Sequence, residues 1–447
     1  MSEAPHLADA VEKTASRTVI IGAGVAGLSC AIELLSAGRR VTVIERAAEP
    51  GGRARSFLWR EAGVEVDTGA HLVLGCYEHF RWLADAVRRR AVNCRMTVLP
   101  RMRVDLRSLA GERVVIRGGG GGRLWSLVSL MLSSGLGLRN RLAILGAMRQ
   151  VDLLKNTTYV EEWLGVTAQP PGARRWFWNP MVKAVANQET WAAPSRHFHL
   201  VLQRAFLGAE ADPRMVIVEG GLSAVYARPA MEVIGELGGR IVLGDGVASL
   251  ELDGRRVVAV VTGKGNRLEA DHAVSCIPPD ALRKLLPGEE LERFEPSPIV
   301  SAHALLRKPI RPEGAPVSMV GMVDAPFQWA FQSRINRGWH VSLLTSAAEA
   351  LVARSTRQLE ETARDVLKSF FTLTDADILA VLPVKDRYAT YRTQDAAPWS
   401  GMENSPENLL IAGDWTEPDY PCTLESAALS GRRAAKRILE PEGGPGE

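Results

Sequence analysis

The chain has 447 residues, 46% of them apolar and 23% charged, so it can bury a sizeable core and has room for roughly three domains. Its 54 Lys and Arg against 51 Asp and Glu leave a formal charge of +3, which gives no general case for nucleic-acid binding. The five cysteines are scattered without a CxxC pair, which argues against a disulfide framework or a zinc site and fits a reducing cytoplasm.

The first part of the chain reads as a short leader followed by a βαβ unit. Residues 1–16 mix acidic residues with alanine and contain no apolar run, so we expect a disordered leader. A β-branched run at 18–21 predicts a buried strand, and helical spacing follows as far as Ala37. Residues 41–44 predict a second strand, which ends in Glu45.

The turn between the first strand and the helix has the glycine spacing of a dinucleotide site. Gly22 permits a tight turn, Gly24 lets a pyrophosphate approach the backbone, and Gly27 lets the helix pack close to the strand. The helix N-terminus offers N–H groups to the phosphates. The residues expected to bind the cofactor in this turn are Gly22, Ala23, Gly24, Val25, Ala26 and Gly27. Glu45 is placed to bind both ribose hydroxyls and to repel a 2′-phosphate, so NADP is disfavoured.

A second glycine pair helps to distinguish FAD from NAD. The GGRARS segment at 51–56 places Gly52 and Arg53 shortly after the ribose carboxylate. A second backbone loop with guanidinium groups for the same pyrophosphate suits FAD. The bland alternative for this segment is a solvated basic turn.

The rest of the chain divides into helical and strand-rich stretches. The sequence predicts a hairpin at 102–117, a flexible glycine connection at 118–122 and helices from 125 to about 208. A helix and several strands are predicted at 216–279, and strands with one long helix near 358–372 are predicted within 299–390. The segment 408–439 is predicted to form a strand, a glycine turn and a closing helix. The glycine pairs at 244–246 and 263–265 lie between predicted strands, so no separate NAD(P)H domain is expected.

Both ends of the chain resemble one superfamily. The opening VIIGAGVAGLSCAIELLSAGRRVTVIERAAEPGGRARS and the closing LLIAGDWTEPDYPCTLESAALSGRRAA look like those of the FAD-dependent amine oxidases and phytoene desaturases. The resemblance implies FAD, with a turn at Gly413 and Asp414 for its diphosphate and ribityl chain and a helix that opens at Thr423 and Leu424 toward the flavin. FAD contacts implied elsewhere are Arg46, Gly69, Ala70 and Val247. Non-covalent binding is expected, because Cys422 is interpreted as a small buried thiol.

Two inner segments narrow the resemblance. EVDTGAHLVLGCYEHF at 65–80 and AVANQETWAAPSRHFHLVLQRAFLG at 184–208 are similar to the squalene-associated branch, the hydroxysqualene dehydroxylases of hopanoid synthesis. The chain departs from that branch's usual pattern at Ala70, Cys422 and Ser426. The resemblance implies that reduced flavin delivers hydride to the allylic carbon of hydroxysqualene, a long-chain isoprenoid, as water is lost and squalene forms.

Two polar residues are candidates for catalysis. His71 is the first choice for the proton donor, and a histidine that is hydrogen-bonded within a buried turn is an equal alternative. By the resemblance, Asn187 would orient the hydroxyl, although a helix-cap or loop role explains it at least as well. Trp176, Phe177 and Trp178 suit an apolar substrate tunnel, but core packing is favoured for any single tryptophan.

One apolar stretch raises the question of a membrane. Leu124–Leu138 is uncharged but holds only fifteen residues, whereas a spanning helix needs about twenty. Across 123–154, leucine and methionine alternate with arginine, which suits the interface of an anionic membrane. A helical lid on the substrate cavity is the alternative, and membrane contact is slightly favoured because the expected substrate lives in lipid.

The sequence also allows functions other than that of a dehydroxylase. A carotenoid-type desaturase or an amine oxidase would use the same fold in the oxidative direction, and a flavin-binding assembly partner would have no turnover. A reductive reaction requires an external electron donor, which the sequence does not identify. No metal is expected.

The predicted fold class is α/β, with a Rossmann-like FAD-binding domain built from both chain ends and an inserted α+β substrate domain. The FAD-binding parts are predicted at 17–100, 209–290 and 391–440, the substrate parts at 101–208 and 291–390, and a tail at 441–447. The expected location is the cytoplasm, with peripheral contact to the inner face of the cell membrane as an added hypothesis.

Overall fold

The computed structural model describes residues 16–118, 128–208, 211–287, 293–311, 319–335, 338–392 and 405–440. The predicted leader up to residue 15, most of the predicted glycine connection and the tail lie outside these ranges. In chain order, the strands are β1 (Arg17–Ile21), β2 (Arg40–Glu45), β3 (Ser56–Trp59), β4 (Val64–Asp67), β5 (Val73–Leu74), β6 (Arg95–Val98), β7 (Met102–Arg107), β8 (Arg113–Gly118), β9 (Met215–Glu219), β10 (Arg240–Leu243), β11 (Val247–Asp253), β12 (Arg256–Thr262), β13 (Arg267–Glu269), β14 (His272–Ser275), β15 (Glu295–Leu306), β16 (Met319–Met322), β17 (Trp329–Ile335), β18 (Gly338–Thr345), β19 (Ile378–Arg392) and β20 (Leu409–Ile411).

The α-helices lie between groups of these strands. They are α1 (Val25–Ser36), α2 (Glu78–Val87), α3 (Leu138–Arg149), α4 (Val160–Val166), α5 (Pro171–Ala173), α6 (Asn179–Ala186), α7 (Ser195–Leu202), α8 (Arg228–Glu236), α9 (Pro279–Leu285), α10 (Glu349–Val352), α11 (Thr356–Phe371) and α12 (Leu424–Leu439). π-Helical turns occupy Arg174–Trp178, Gln203–Leu207 and Ser223–Ala227, and 3-10 turns occupy Arg88–Arg90, Val151–Asn156, Asp375–Asp377 and Asp414–Thr416.

A parallel sheet joins the two ends of the chain. Its strand order in the described residues is β10-β2-β1-β14-β20, so β1 from the N-terminal end and β20 from the C-terminal end flank β14. In β1, Ile20 points into one hydrophobic cluster with α1, α8 and α12, whereas Val19 and Ile21 point into a second cluster with β12 and α9. Burial on both faces explains why this strand is a continuous β-branched run.

The second large sheet is mixed, with the strand order β19-β15-β18-β17-β16-β7-β8 over the described residues. In β15, Val300, Ala302 and Ala304 pack toward α11, because alternate residues of a strand face the same side. On the other side, His303 lies against Trp59 of the hairpin formed by β3 and β4, with ring centroids 6.4 Å apart. The sheet is therefore covered on both faces.

The region between 128 and 207 is mainly helical, as predicted. Helices α3, α4, α6 and α7 pack around a core that contains Trp163, Trp178 and Phe198. This helical core also contacts β7, β16 and β18 of the mixed sheet through Leu106, Met319 and Leu344. The predicted hairpin at 102–117 is confirmed as the β7–β8 pair.

The closing part of the chain also follows the prediction. The long helix expected near 358–372 is α11, which begins at a capping box between Ser355 and Gln358. The strand, turn and closing helix expected at 408–439 are β20, Gly413 with the following 3-10 turn, and α12. The fold is thus α/β, with a Rossmann-like domain assembled from both ends of the chain and an inserted α+β part. The exact boundaries between the two domains stay a prediction.

The described residues contain no helix that is long and apolar enough to cross a membrane. Within the same ranges, no group of three or more His, Cys, Asp or Glu side chains is arranged to hold a metal ion.

Candidate functional site

The glycine turn after β1 has the geometry that a bound pyrophosphate requires. Gly22 has a φ of +106°, a conformation that side chains disfavour. A Cβ atom at Gly27 would lie 1.9 Å from the carbonyl oxygen of Gly22, so only glycine lets α1 start this close to the turn. A Cβ atom at Gly24 would meet its nearest neighbour, the Cα of Gly52, at 4.0 Å, which leaves this surface open. Because α1 begins at Val25, its N-terminal N–H groups border the same opening.

Glu45 ends β2 beside this turn. Its Oε2 accepts the N–H of Ala23 at 2.9 Å, and its Oε1 accepts the N–H two residues later at 2.8 Å. Each carboxylate oxygen keeps a further lone pair for a ribose hydroxyl. A Cβ atom at Gly246 would lie 3.1 Å from the Cβ of Arg46, and β11 begins at the next residue, Val247. The structure therefore brings Glu45, Arg46 and Val247 to one end of the parallel sheet.

The second glycine loop packs directly on the first. The N–H of Gly51 donates to the carbonyl of Ala23 at 2.8 Å. Gly52 has a φ of +60°, and a Cβ atom there would lie 3.2 Å from the Cα of Gly24. Two backbone loops thus meet at one surface, which is the double approach to a diphosphate that the sequence predicts for FAD.

Tyr226 fixes this second loop, a role that its sequence context does not predict. Its hydroxyl donates to the carbonyl of Ala54 at 2.7 Å and lies 2.9 Å from that of Gly51. The ring is fully buried and packs edge-on against Phe80, with centroids 5.6 Å apart. Because Tyr226 lies far along the chain from the loop, no local pattern signals this contact.

Arg53 connects three separate segments around the site. Its guanidinium donates to the carbonyl of Ala389 at 3.1 Å, lies 5.2 Å from the centre of the Tyr391 ring, and contacts the carboxylate of Asp414. Burial alone would lower the pKa of Arg53, but the charge of Asp414 raises it above its ordinary value. The two residues that were predicted from opposite ends of the chain to contact FAD therefore touch each other.

The closing motif forms a tight turn and a capped helix. The N–H of Gly413 donates to Ser430 Oγ at 2.9 Å, and a Cβ atom at Gly413 would lie only 2.6 Å from Trp415 Nε1. Thr423 caps α12, since its Oγ1 accepts the N–H of Ser426 at 3.3 Å and Ser426 Oγ accepts the N–H of Thr423 at 2.9 Å. The unusual serine at 426 therefore completes the cap. Leu424 is the first residue of the helix.

Glu425 has a structural role that the closing sequence motif does not predict. Its carboxylate accepts the backbone N–H groups of Glu78, His79 and Phe80, at 3.0 to 3.1 Å, and so caps the N-terminus of α2. Burial raises the pKa of Glu425 above its ordinary value, although these hydrogen bonds oppose the change. The closing motif thereby holds a helix from the N-terminal part of the chain.

The segment with His71 lies against the mixed sheet. A Cβ atom at Gly69 would lie 3.3 Å from Leu344, and Ala70 packs at the edge of the helical core. Burial lowers the pKa of His71, although the charges of Asp67 and Asp386 oppose this change. The imidazole is therefore neutral at neutral pH, and its doubly protonated form is available only in more acidic solution.

Asn187 is hydrogen-bonded on every side chain atom that can bond. It ends α6 in a left-handed conformation with a φ of +51°. Its Nδ2 donates to the carbonyl of Ser297 at 3.0 Å and to Thr390 Oγ1 at 2.7 Å, and its Oδ1 accepts the N–H of Ala347 at 2.7 Å. These bonds use both amide protons, so Asn187 is a helix cap that joins α6 to the mixed sheet, and these protons are engaged within the protein rather than directed at a substrate hydroxyl.

The aromatic cluster of the helical region is core. Trp178 is fully buried between Phe177 and Trp163, with ring centroids at 4.7 and 5.0 Å, and its indole N–H donates to Gln169 at 2.7 Å. Trp191, which follows α6 in the same helical region, is instead exposed. The packing interpretation, which the sequence favoured for a single tryptophan, accounts for Trp178.

Cys422 lies close to the predicted flavin site. Burial, with Asp414 nearby, raises the pKa of its thiol above the ordinary value. The thiol is therefore protonated at neutral pH, whereas a covalent bond to a cofactor requires the thiolate as nucleophile. This environment agrees with a buried thiol and with FAD held without a covalent link.

Comparisons with known proteins identify the family of the chain. The sequence model of the flavin containing amine oxidoreductase family matches residues 25–439. A hydroxysqualene dehydroxylase from Rhodopseudomonas palustris is 28% identical over 443 residues, which cover 95% of this chain and 99% of that protein. A chloroplastic 15-cis-phytoene desaturase from Narcissus pseudonarcissus is 25% identical over 468 residues, or 94% of this chain and 79% of that protein.

Solved structures show the same fold. A putrescine oxidase bound to putrescine superimposes with a TM-score of 0.71 at 16% identity, covering 95% of this chain and 99% of that one. At this identity the likeness supports the fold alone. Together with the family match, the paired glycine loops and the carboxylate at the end of β2 lead to one conclusion: the chain belongs to the flavin containing amine oxidoreductases and is an FAD-dependent oxidoreductase.

Proposed function

We propose that this enzyme reduces hydroxysqualene to squalene. The observation that carries the proposal is the end-to-end similarity to hydroxysqualene dehydroxylase, which leaves almost none of that relative unmatched, whereas the phytoene desaturase has a fifth of its length outside the match. Reduced FAD, when bound, supplies the hydride. The remaining chemistry falls to the residues of this chain, which hold the cofactor, bind a long apolar substrate and provide a proton for the departing hydroxyl.

The cofactor would be held along one continuous surface. The turns at Gly22 to Gly27 and at Gly52 would bind the diphosphate, and the carboxylate of Glu45 would accept hydrogen bonds from the ribose hydroxyls. Arg46 and Val247 flank the adenosine end. Toward the flavin end lie the residues of the closing motif and of the segment after β4, namely Arg53, Gly69, Ala70, Gly413, Asp414, Thr423 and Leu424. The helix α1 has no side-chain cap at its N-terminus, so its first N–H groups can face the phosphates.

His71 is the proposed source of the proton. Protonated imidazole is a stronger acid than a neutral one, and burial confines that form to acidic solution. If His71 donates, the single-turnover rate should rise as the pH falls below about 6.5, and this dependence should disappear in His71→Gln. A rate that is independent of pH in the wild type would exclude His71 as the donor.

The reaction is tested with anaerobic, photoreduced enzyme. We expect squalene to appear as the flavin reoxidises when hydroxysqualene is added, with one squalene formed for each flavin oxidised. Reduction of the oxidised enzyme by phytoene would instead favour a desaturase reaction. The similarity to 15-cis-phytoene desaturase supports this alternative. If neither substrate changes the flavin spectrum, the proposed reaction is wrong.

Contact with a membrane surface is part of the proposal, because the substrate is a lipid. Residues 123–127 lie outside the described ranges, but the following residues expose Leu132 (62%), Leu138 (60%) and Leu142 (55%). In α3, Leu138 and Leu142 share one face, while Ile144 on the opposite face is fully buried in the helical core. One face of α3 is therefore anchored in the protein and the other presents leucines outward.

A further inference from the structure

The outer edge of the mixed sheet carries a row of arginines on one face. Over the described residues, β8 is the last strand of this sheet, and it pairs with β7 in antiparallel register. Leu106, Val114 and Ile116 of this pair point into the helical core. Because alternate residues of a strand face the same side, the odd-numbered residues of both strands point to the opposite face. The arginines at these positions, called the arginine face below, are Arg103, Arg107, Arg113 and Arg117.

The register places these arginines opposite one another. Arg103 lies opposite Arg117, and Arg107 lies opposite Arg113. Like charges that are directly opposite on neighbouring strands repel each other and destabilise a sheet. The arginine face therefore requires negative charge from other groups.

One buried carboxylate supplies part of this charge. Asp105 accepts hydrogen bonds from Nε of Arg113 at 3.0 Å and from its Nη2 at 2.7 Å. Nη1 of Arg311 lies 3.0 Å from the same carboxylate, and Nη2 of Arg107 lies 3.6 Å from it. Three guanidinium groups thus share a single negative charge, and two positive charges remain unbalanced.

The rest of the arginine face has no negative partner within the described ranges. Glu112, the other acid of the β7–β8 hairpin, is bonded by Arg175 at 2.8 Å. Among the described residues, no carboxylate lies within ion-pair distance of Arg103 or Arg117, and the buried Nε of Arg103 has no acceptor. Arg117 is exposed. The face therefore keeps an excess of positive charge that an external anion can reach.

The arginine face adjoins the outward leucines near α3. The N–H of Val115 donates to the carbonyl of Ser134 at 2.9 Å and the N–H of Ser134 donates back at 3.1 Å, so this segment extends the edge of β8. The backbone N–H of Arg117 donates to Ser133 Oγ at 3.1 Å. Leu132, the preceding residue, is 62% exposed and therefore lies at the same edge as Arg117.

This combination of positive charge and apolar surface matches an anionic phospholipid. A guanidinium group binds phosphate through two parallel N–H donors. The acyl chains next to a headgroup bury an exposed leucine. A free phosphate or a nucleic acid would neutralise the arginines but would leave the adjacent leucine in water, whereas a lipid satisfies both.

We infer that the arginine face binds the phosphate groups of anionic phospholipids, with Arg103 and Arg117 as the direct contacts. Arg107 and Arg113, which Asp105 holds in place, add positive potential at the same surface. The inference rests on the membrane contact that belongs to the proposed function, and it gives that contact a preference for one class of lipid. It also places the edge at β8 against the bilayer.

The test measures binding of the FAD-loaded protein to vesicles by co-sedimentation. One set of vesicles mixes phosphatidylglycerol with phosphatidylcholine, and the other contains phosphatidylcholine alone. Arg117→Gln should raise the Kd for the mixed vesicles about fivefold, and its combination with Arg103→Gln should raise it about 25-fold, since each arginine near an anionic surface contributes a similar factor. The Kd for phosphatidylcholine alone should stay that of the wild type. The difference between wild type and variants should shrink between about 0.1 and about 1 M NaCl, because salt screens the charges.

Arg60→Gln is the matched control, because it removes the same charge from an exposed residue in the turn between β3 and β4. FAD content, measured by absorbance, verifies that each variant is folded. Equal binding of Arg117→Gln, the double variant and Arg60→Gln to the mixed vesicles would overturn the inference. Release of the wild type by inorganic phosphate, at an ionic strength matched with NaCl, would also overturn it, because the arginines would then bind the free ion.

The outcomes separate this inference from the proposed function. If the wild type binds the mixed vesicles and the arginine variants bind them equally well, the inference alone is rejected. If the wild type binds neither set of vesicles, the proposed membrane contact is rejected with it. Failure of the photoreduced enzyme to form squalene would reject the proposed reaction alone, since vesicle binding does not depend on turnover.

Discussion

The guanidinium of Arg53 and the carboxylate of Asp414 form an ion pair across 361 residues of sequence. Arg53 follows the second glycine loop, and Asp414 follows β20 at the other side of the parallel sheet. Tyr391 of β19 lies beneath the guanidinium, so the pair also reaches the mixed sheet. The dinucleotide turn, the closing motif and the substrate part of the fold therefore meet at a single side chain.

Arg53→Ala should weaken FAD binding strongly. The substitution removes a cation that is expected to bond the FAD diphosphate, and one charge-assisted hydrogen bond of about 1.5 to 3 kcal/mol corresponds to a roughly 10- to 150-fold higher Kd for FAD. The measurement is a fluorescence titration of the apoprotein with FAD. Arg55→Ala, in the same segment but exposed, should bind FAD like the wild type. Equal losses in both variants would mean that total positive charge, rather than the position of Arg53, determines affinity.

Gly27→Ala should destabilise the glycine turn. The new methyl group would lie 1.9 Å from the carbonyl oxygen of Gly22, so α1 must move away from the turn, at a cost of about 1 to 3 kcal/mol. We expect a lower free energy of unfolding in urea and a reduced FAD content. Gly235→Ala in α8 is the control, because no atom lies within 4 Å of its added methyl group. Alanine there should raise stability by up to about 1 kcal/mol through helix propensity, and a similar fall in both variants would contradict the prediction.

The parts of the site that sequence predicts are those encoded by local spacing. Gly22, Gly24 and Gly27 with Glu45 form a contiguous βαβ pattern, and each has the geometry that this pattern requires. The fold class follows for the same reason, since strands and helices leave periodic apolar residues along the chain.

Long-range contacts explain what the sequence did not show. Tyr226 is bonded to Ala54, and Glu425 caps α2, but both contacts join segments more than 170 residues apart, so neither leaves a local pattern. Asn187 shows an ambiguity instead, since its sequence context allowed both a hydroxyl-orienting role and a helix cap. Its polar amide beside a motif suggested chemistry, whereas its left-handed backbone and its bonds to three other segments make it a cap.

A buried pair of histidines should make stability depend on pH. Nδ1 of His303 lies 3.0 Å from Nε2 of His340, the rings are stacked, and burial lowers their pKa values to about 3 and about 4. In the unfolded chain both would titrate near 6.5. The unfolded state therefore binds more protons than the folded state below this pH, and stability present above pH 6.5 is lost as the pH falls toward 4.

The expected loss is at most about 1.4 kcal/mol per pH unit for each histidine. Urea unfolding at a series of pH values between 7 and about 4.5 measures it, and His303→Gln combined with His340→Gln should flatten the dependence by the amount that the pair contributes. Leu252→Gln, at an exposed residue without a titratable group, is the control and should keep the wild-type slope. An unchanged slope in the double variant would show that carboxylates alone set the acid sensitivity.

Membrane association should depend on the outward leucines near α3. Leu132 and Leu142 are 62% and 55% exposed, and fully burying a leucine side chain is worth roughly 1.5 to 3 kcal/mol. Replacing both by glutamate removes this gain and adds negative charge, so binding to anionic phosphatidylglycerol vesicles should fall at least about tenfold for each site. Co-sedimentation with the vesicles measures the bound fraction.

The control distinguishes a specific membrane-binding surface from non-specific binding through any exposed leucine. Leu252→Glu alters an equally exposed leucine on β11 and should leave vesicle binding unchanged. The double variant should also retain FAD and should bind hydroxysqualene dispersed in detergent with the affinity of the wild type, because Ile144 and Met148 still anchor α3 in the helical core. If the double variant binds vesicles normally, α3 is not the membrane contact. If the double variant also binds hydroxysqualene more weakly in detergent, the region of α3 acts as a lid on the substrate cavity. A surface that only contacts lipid cannot change substrate binding in the absence of a bilayer.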